Sequence, residues 1–308
     1  MTRSGINAGR IVVSALTLVI PSTLGAHAAL AADDWVQQAS DIDGEALGDE
    51  SGRSVSLSSD GSTVAIGAHL NDGNGINSGQ VRVYSLVGDT WEQQGNDIDG
   101  EAVGDVSGRS VSLSSDGSTV AIGATGNDGD NRVDSGHVRV YVWDGSNWVQ
   151  QGSDIDGEAA GDESGRSVSL SSDGSTVAIG APSNDGNGTL SGHVRVYVWD
   201  GSNWVQRGSD IDGEDVGDQS GWSVALSSSG TTVAIGAPYN DGNDANSGQV
   251  RVFAWPTAAS GAIPGPLTEF TFFLPDGREC SSISPQRVQV GTMQVLPGED
   301  ALCQTSEG

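Results

Sequence analysis

The chain repeats itself four times. The string DIDGE begins at Asp41, Asp97, Asp154 and Asp210, and VAIGA begins at Val64, Val120, Val177 and Val233, so both series step by 56, 57 and 56 residues. A period of this length means that each unit is one supersecondary element, unable to bury its apolar faces alone and covered by its neighbours in the chain. Three copies carry SGRSVSLSSDGSTVAIGA unchanged, from Ser51, Ser107 and Ser164, while the fourth reads SGWSVALSSSGTTVAIGA from Ser220.

Each unit predicts four short strands. SVSLS and TVAIGA flank an Asp-Gly pair, and VRVYVW and NWVQQ flank Asp144-Gly145 and Asp200-Gly201. Asp-Gly between alternating apolar residues is a strong hairpin signal, because it supplies the positive φ that tight hairpin turns need. Valine, leucine and isoleucine alternate with Ser, Thr, Ala and Gly, so one face of the sheet carries bulk and the other small side chains. Sheets of this kind stack closely on both faces, as the blades of a propeller do. A strand from Trp35 to Ile42 precedes the first unit, and the last unit stops after Val250–Trp255. The count is sixteen strands, which predicts an all-β fold: a propeller of four four-stranded blades over residues 33–256, closed by the N-terminal strand. An open array or a sandwich of hairpins is the alternative.

Charge narrows the partners. The chain of 308 residues carries 41 acids against 13 cations, a net charge of -28, and every cation is arginine. Nucleic acid requires the opposite sign of surface, and the absence of lysine removes Schiff-base chemistry. Arg3 and Arg10 precede an apolar run from Ile11 to Leu24 and small residues to Ala32, the layout of a secretory signal over residues 1–31. Its removal leaves 11 arginines and a charge of -30, and a secreted or surface-associated protein with no transmembrane segment; a retained anchor is the other reading. Residues 257–266 read as a linker and 267–308 as a small β module, in which Cys280 and Cys303 are expected to form a disulfide in an oxidising compartment.

The unit SGRSVSLSSDGSTVAIGAPSNDGNGTLSGHVRVYVW resembles an FG-GAP repeat, the blade of the integrin alpha-chain propeller and of many exported bacterial proteins. Ser-Gly, at Gly52, Gly108, Gly165 and Gly221, stands where that family has Phe-Gly, and Gly180-Ala181-Pro182 and Gly236-Ala237-Pro238 stand where it has Gly-Ala-Pro. The resemblance implies a ring propeller used for adhesion or binding, although the integrin-like ring has seven blades. Its calcium loop, between the first two strands of a blade, corresponds here to Ser58–Ser62, too short to wrap an ion that takes six to eight oxygens.

The acids concentrate elsewhere, at relative positions one, three, five and nine of the DIDGE segments. They are Asp41, Asp43, Glu45 and Asp49; Asp97, Asp99, Glu101 and Asp105; Asp154, Asp156, Glu158 and Asp162; and Asp210, Asp212, Glu214 and Asp218. This spacing, with interspersed glycines, makes them candidate calcium ligands; the competing reading is a connection whose aspartates cap turns. Candidate binding loops lie at Asn71-Asp72, Asn127-Asp128, Asn184-Asp185 and Asn240-Asp241. His137 and His193 stand where the other units have Gln80 and Gln249, and are expected at exposed strand starts. Trp91, Trp148 and Trp204 are periodic, which suits packing more than sugar stacking. No nucleophile–base pair stands out. The expected function is an exported, non-enzymatic binding or adhesion module presenting loops to an extracellular protein or glycan. The alternatives are a calcium-stabilised structural repeat in a surface assembly and a propeller-type hydrolase or lyase.

Overall fold

The structure is a computed structural model that describes residues 35–129, 132–256 and three short C-terminal strands. The expected signal (1–31) and linker (257–266) lie outside the described residues. The described chain is all-β, and no helix in it is long and apolar enough to cross a membrane.

The first unit forms β1 (Ser54–Leu57), β2 (Thr63–Ala68), β3 (Gln80–Val87) and β4 (Thr90–Gln93) as an antiparallel sheet in chain order, with the two-residue β5 (Ile98–Asp99) pairing the start of β3. The second repeats this with β6 (Ser107–Leu113), β7 (Thr119–Ala124), β8 (His137–Trp143), β9 (Trp148–Gln150) and β10 (Ile155–Asp156). The third does so with β11 (Ser167–Leu170), β12 (Thr176–Ala181), β13 (His193–Trp199), β14 (Trp204–Gln206) and β15 (Ile211–Asp212). The fourth has three strands, β16 (Ser223–Leu226), β17 (Thr232–Ala237) and β18 (Gln249–Ala254). These sheets are the blades that the repeat predicts.

Register sorts the side chains by size. Val55 pairs Ile66, which pairs Arg82, and Leu57 pairs Val64, which pairs Tyr84, so these six share the bulky face of the first blade. Ser54, Ser56, Ala65, Gly67, Val81 and Val83 share the other face. Each junction sets the small face of one blade against the bulky face of the next. Ala65, Val81 and Val83 pack on Val111, Leu113, Val120, Ile122 and Tyr141; Ala121, Val138 and Val140 pack on Leu170, Val177, Ile179 and Tyr197; Ala178, Val194 and Val196 pack on Val233 and Ile235. Burying each valine, leucine or isoleucine contributes about 1.5–3 kcal/mol relative to leaving it exposed.

Polar groups seal the same junctions. The hydroxyls of Ser54, Ser110 and Ser167 donate to the carbonyls of Gly108, Gly165 and Gly221 on the next blade, at 2.8, 2.7 and 2.8 Å. The amides of Ser59, Ser115 and Ser172 donate to the carbonyls of Ser115, Ser172 and Ser228 at 2.8, 2.9 and 2.9 Å. The glycine of VAIGA makes this approach possible: a Cβ on Gly67, Gly123 or Gly180 would stand 2.1, 2.1 or 2.0 Å from the next blade's carbonyl oxygen. Within each blade the Asp-Gly hairpin is tied by its aspartate. Asp60 accepts from the hydroxyls of Ser58 and Ser62 and from the Ser62 amide, bonds that hold its pKa down at about 2. Asp116 and Asp173 repeat the arrangement, and Ser229 replaces it in the last blade.

Among the described residues the outer faces of the first and last blades are uncovered, and the expected closure by an N-terminal strand is corrected. Val55 and Leu57 are 65% and 58% exposed and Val250 and Val252 70% and 65%, where the inner equivalents of the last pair, Val81 and Val83, are 0% and 1%. Residues 35–53 form no strand and do not pair with β18. Their contacts are instead with the first blade: Trp91 Nε1 donates to the Gln38 carbonyl at 3.2 Å and Arg82 to the Asp43 carbonyl at 2.8 Å. The second blade makes the same two bonds to the segment before it, through Trp148 and Arg139. Each inner DIDGE segment thus bridges two blades, its short strand pairing the blade before it and its carbonyls accepting from the blade that follows, whereas the N-terminal copy bonds to the first blade.

The C-terminal strands β19 (Phe270–Phe273), β20 (Glu279–Ser282) and β21 (Leu302–Cys303) make a separate antiparallel sheet in which Cys280 stands opposite Cys303.

Candidate functional site

At every junction the DIDGE turn and the Asn-Asp-Gly loop lie side by side. The amide of Gly104 donates to the Ile76 carbonyl and that of Val106 to the Asn77 carbonyl, both at 3.0 Å; Gly161 and Gly217 repeat the first bond with Val133 and Thr189. Asn77 and Val106 meet in left-handed backbone, with φ of 53° and 52°, a strained choice for a β-branched residue.

The sixteen candidate calcium ligands separate by position. The ninth-position acids are buried and occupied by protein donors. Asp49 Oδ2 accepts from the Ala46 amide and Asn71 Nδ2, Asp162 Oδ2 from Ala159 and Asn184, and Asp218 Oδ2 from Asp215 and Asn240. Asp105 Oδ2 takes the Glu101 and Ala102 amides. These aspartates therefore fasten the turn to the loop. The first-position acids Asp41, Asp97, Asp154 and Asp210 each accept from a glutamine four residues earlier. At the third position it is the main-chain carbonyls of Asp43, Asp99, Asp156 and Asp212 that accept from Arg82, Arg139, Arg195 and Arg251. The fifth-position glutamates Glu45, Glu101, Glu158 and Glu214 stand 3.5–3.9 Å from the same guanidinium groups.

The binding-loop residues are divided as well. Asn71, Asn127, Asn184 and Asn240 are buried, whereas Asp72, Asp128, Asp185 and Asp241 cap their own loops by accepting the amides of Asn77, Asp134, Leu190 and Asn246. The loop edge also offers aliphatic side chains to solvent. Leu47, Val103 and Val216 are exposed at matching positions of the turns, Ile76 and Val133 at matching positions of two loops, and Leu190 is exposed one residue further along the third loop. Beside the turns, two recesses of about 250 and 220 Å³ repeat on successive blades. One is lined by Asn96, Asp97, Asp99, Tyr141, Asn147 and Trp148, the other by Asp41, Asp43, Tyr84, Thr90 and Trp91. Trp148 and Trp204 pack on Trp143 and Trp199 with ring centroids 5.5 Å apart, so the periodic tryptophans do serve packing.

The histidines contradict their expected place. His137 and His193 are each only 1% exposed, because the strands they begin run between the acidic turns of two successive units. His137 Nδ1 lies 3.9 Å from both Glu101 Oε2 and Asp154 Oδ2, and His193 Nδ1 lies 3.8 Å from Glu158 Oε2 with Asp210 completing the group. Both ring nitrogens of His137, and Nε2 of His193, are buried without a hydrogen-bond partner. Burial, assisted by Arg139, lowers the His137 pKa to about 4 against the pull of Asp154 and Asp105, so the ring is neutral at physiological pH. Burial likewise raises the pKa of Glu101, opposed by Arg139. The sequence signal for these clusters was present in the one- and five-position acids of adjacent turns, but only the fold brings one turn's glutamate to the next turn's aspartate.

Among known proteins, the FG-GAP repeat model matches residues 35–84, 154–198 and 210–253. No curated protein matches the chain. Among solved structures, hydrazine synthase of Kuenenia stuttgartiensis aligns at 13% identity and a TM-score of 0.41, over 79% of this chain and 58% of its own. A Bacteroides uniformis protein described as a candidate 6-phosphogluconolactonase aligns at 13% and 0.39, over 75% and 77%. The chain thus spans little more than half of the first of these two. Three of its four units match the FG-GAP repeat, and these units are FG-GAP repeats.

Proposed function

We propose that this chain is an exported, non-enzymatic binding module whose contact surface is the turn-and-loop edge of the blades. The observation that carries the reading is the exposed aliphatic row, Leu47, Ile76, Val103, Val133, Leu190 and Val216, set among carboxylates on a rigid frame. Aliphatic side chains held in water on successive loops mark a contact site, and the surrounding acids favour a protein partner that is basic around an apolar centre. Repetition of the same groups from blade to blade suits repeated contact more than a single reaction centre. Export accords with the N-terminal layout, with the high negative charge and with the opposed positions of Cys280 and Cys303, where an oxidising compartment would join them.

A variant with Ile76, Val103, Leu190 and Val216 all changed to serine is expected to melt like the parent and to bind an immobilised panel of basic extracellular proteins at least about 10-fold more weakly, as loss of central interface anchors does. Unchanged binding would defeat this reading. A second reading, a glycan partner, is favoured by the recess at Tyr141 and Trp148, whose ring faces, carboxylates and amides are the groups that hold sugars. Selective capture on a glycan array, with no affinity for the protein panel, would favour it.

A further inference from the structure

We propose that the clusters Glu101–His137–Asp154 and Glu158–His193–Asp210 are sites for a divalent transition-metal ion of the zinc class, one at each of two successive blades. In each, one histidine nitrogen and two carboxylate oxygens lie within 4.8 Å of one another. The His137 nitrogen is 3.9 Å from each carboxylate, too far for a hydrogen bond. It is a separation that an ion about 2.0–2.2 Å from each ligand would span with a small inward movement. The ring is 1% exposed and neither of its nitrogens has a partner. An orphaned buried imidazole between two carboxylates is an unmet coordination demand.

The chain contains its own control. Where glutamine replaces histidine, the longer side chain reaches the same glutamate: Gln80 Nε2 donates to Glu45 Oε2 at 2.8 Å and Gln249 Nε2 to Glu214 Oε2 at 2.9 Å. Those junctions are closed by a direct bond, while the two histidine junctions are left with a gap. Arg139 and Arg195 lie 3.5 and 3.6 Å from Oε1 of Glu101 and Glu158, so the arginine holds one carboxylate oxygen and leaves Oε2 toward the ring. A neutral nitrogen ligand favours zinc, copper or nickel over calcium, which takes oxygen throughout. The ligands come from two successive turns and the strand between them, so a bound ion would fasten neighbouring turns together. This set is different from four acids of a single DIDGE segment wrapping calcium.

The test is calorimetric titration of the untagged, chelator-stripped chain with zinc chloride, and separately with calcium chloride. Two zinc ions per chain are expected, together with a rise in melting temperature. The substitutions His137→Gln and His193→Gln install the residue that the first and fourth units already carry, so the fold is kept. Each alone should remove one zinc site, and the pair should remove both. Cobalt added to the parent chain should give a visible absorption spectrum that the double variant lacks. No zinc binding by the folded parent, or zinc binding and stoichiometry unchanged in the double variant, would overturn the assignment. So would calcium binding to these sites as tightly as zinc.

Discussion

Replacing Gly123 by valine should cost more than about 4 kcal/mol, the range reserved for buried steric conflict. A Cβ at that position would stand 2.1 Å from the Gly165 carbonyl oxygen of the next blade and 2.5 Å from Ser110 Oγ. The first contact is backbone against backbone, so neither side can turn away, and relief requires parting the second and third blades along their whole junction. Parting them exposes Val138, Val140, Val177 and Ile179, each nearly fully buried. Urea unfolding of the variant should therefore show a large fall in midpoint. Gly236 is the informative comparison, because it occupies the same place in the last blade and faces no further blade among the described residues. Its nearest neighbour for an added Cβ is Ser223 Oγ at 2.4 Å, the end of a rotatable side chain. Gly236→Ala should consequently be tolerated within about 1 kcal/mol, while Gly123→Ala is not. Equal costs at the two positions would mean that the last blade is covered as the inner ones are.

The second large effect concerns the loop edge. Asp162 is 3% exposed, and its Oδ2 receives the Ala159 amide at 2.9 Å and Asn184 Nδ2 at 3.0 Å. Asp162→Ala removes one acceptor and strands two buried donors, each of which costs about 1–3 kcal/mol when left unpaired. The loss falls on the joint between turn and loop, so global stability should drop by a few kcal/mol. The Leu190–Val216 part of the contact edge should also lose its order. The measurement is a urea melt combined with amide exchange at Gly186 and Gly217, whose amides donate to Asn184 Oδ1 and the Thr189 carbonyl. Faster exchange at both sites is expected, and unchanged exchange would show that Asp162 does not fasten them.

How much of this was readable in the residues follows from range. The hairpins were, because Asp60-Gly61 and its copies act over four or five residues through their own hydroxyl and amide partners. The sorting of bulky and small faces was as well, since alternation fixes which side of a strand Val55 and Ser56 take. The open ends were not. Sixteen expected strands suggested a closed circle, but counting strands says nothing about how far each junction rotates one blade from the last. The contacts of Arg82 and Trp91 hold the N-terminal segment to the first blade. The histidine clusters were hidden for a related reason. Exchange of His137 and His193 for glutamine in sister units reads as tolerance in a sequence, whereas in the fold it separates junctions with a direct Gln–Glu bond from junctions without one. The aspartates at position nine were legible only by type, as turn caps, with their asparagine partners 22 residues away.

The central claim is that three copies of one junction hold the blades, and with them the loop edge, in a row whose two outer faces are uncovered among the described residues. The amides of Ser59, Ser115 and Ser172 each donate to a carbonyl of the following blade, and Ser228, the next in the series, has no such acceptor among the described residues. Residue-resolved hydrogen exchange of the folded protein reads all four directly. The account predicts protection at Ser59, Ser115 and Ser172 and fast exchange at Ser228. Protection of Ser228 equal to the other three would contradict it, because that amide would then be bonded across a closed fourth junction.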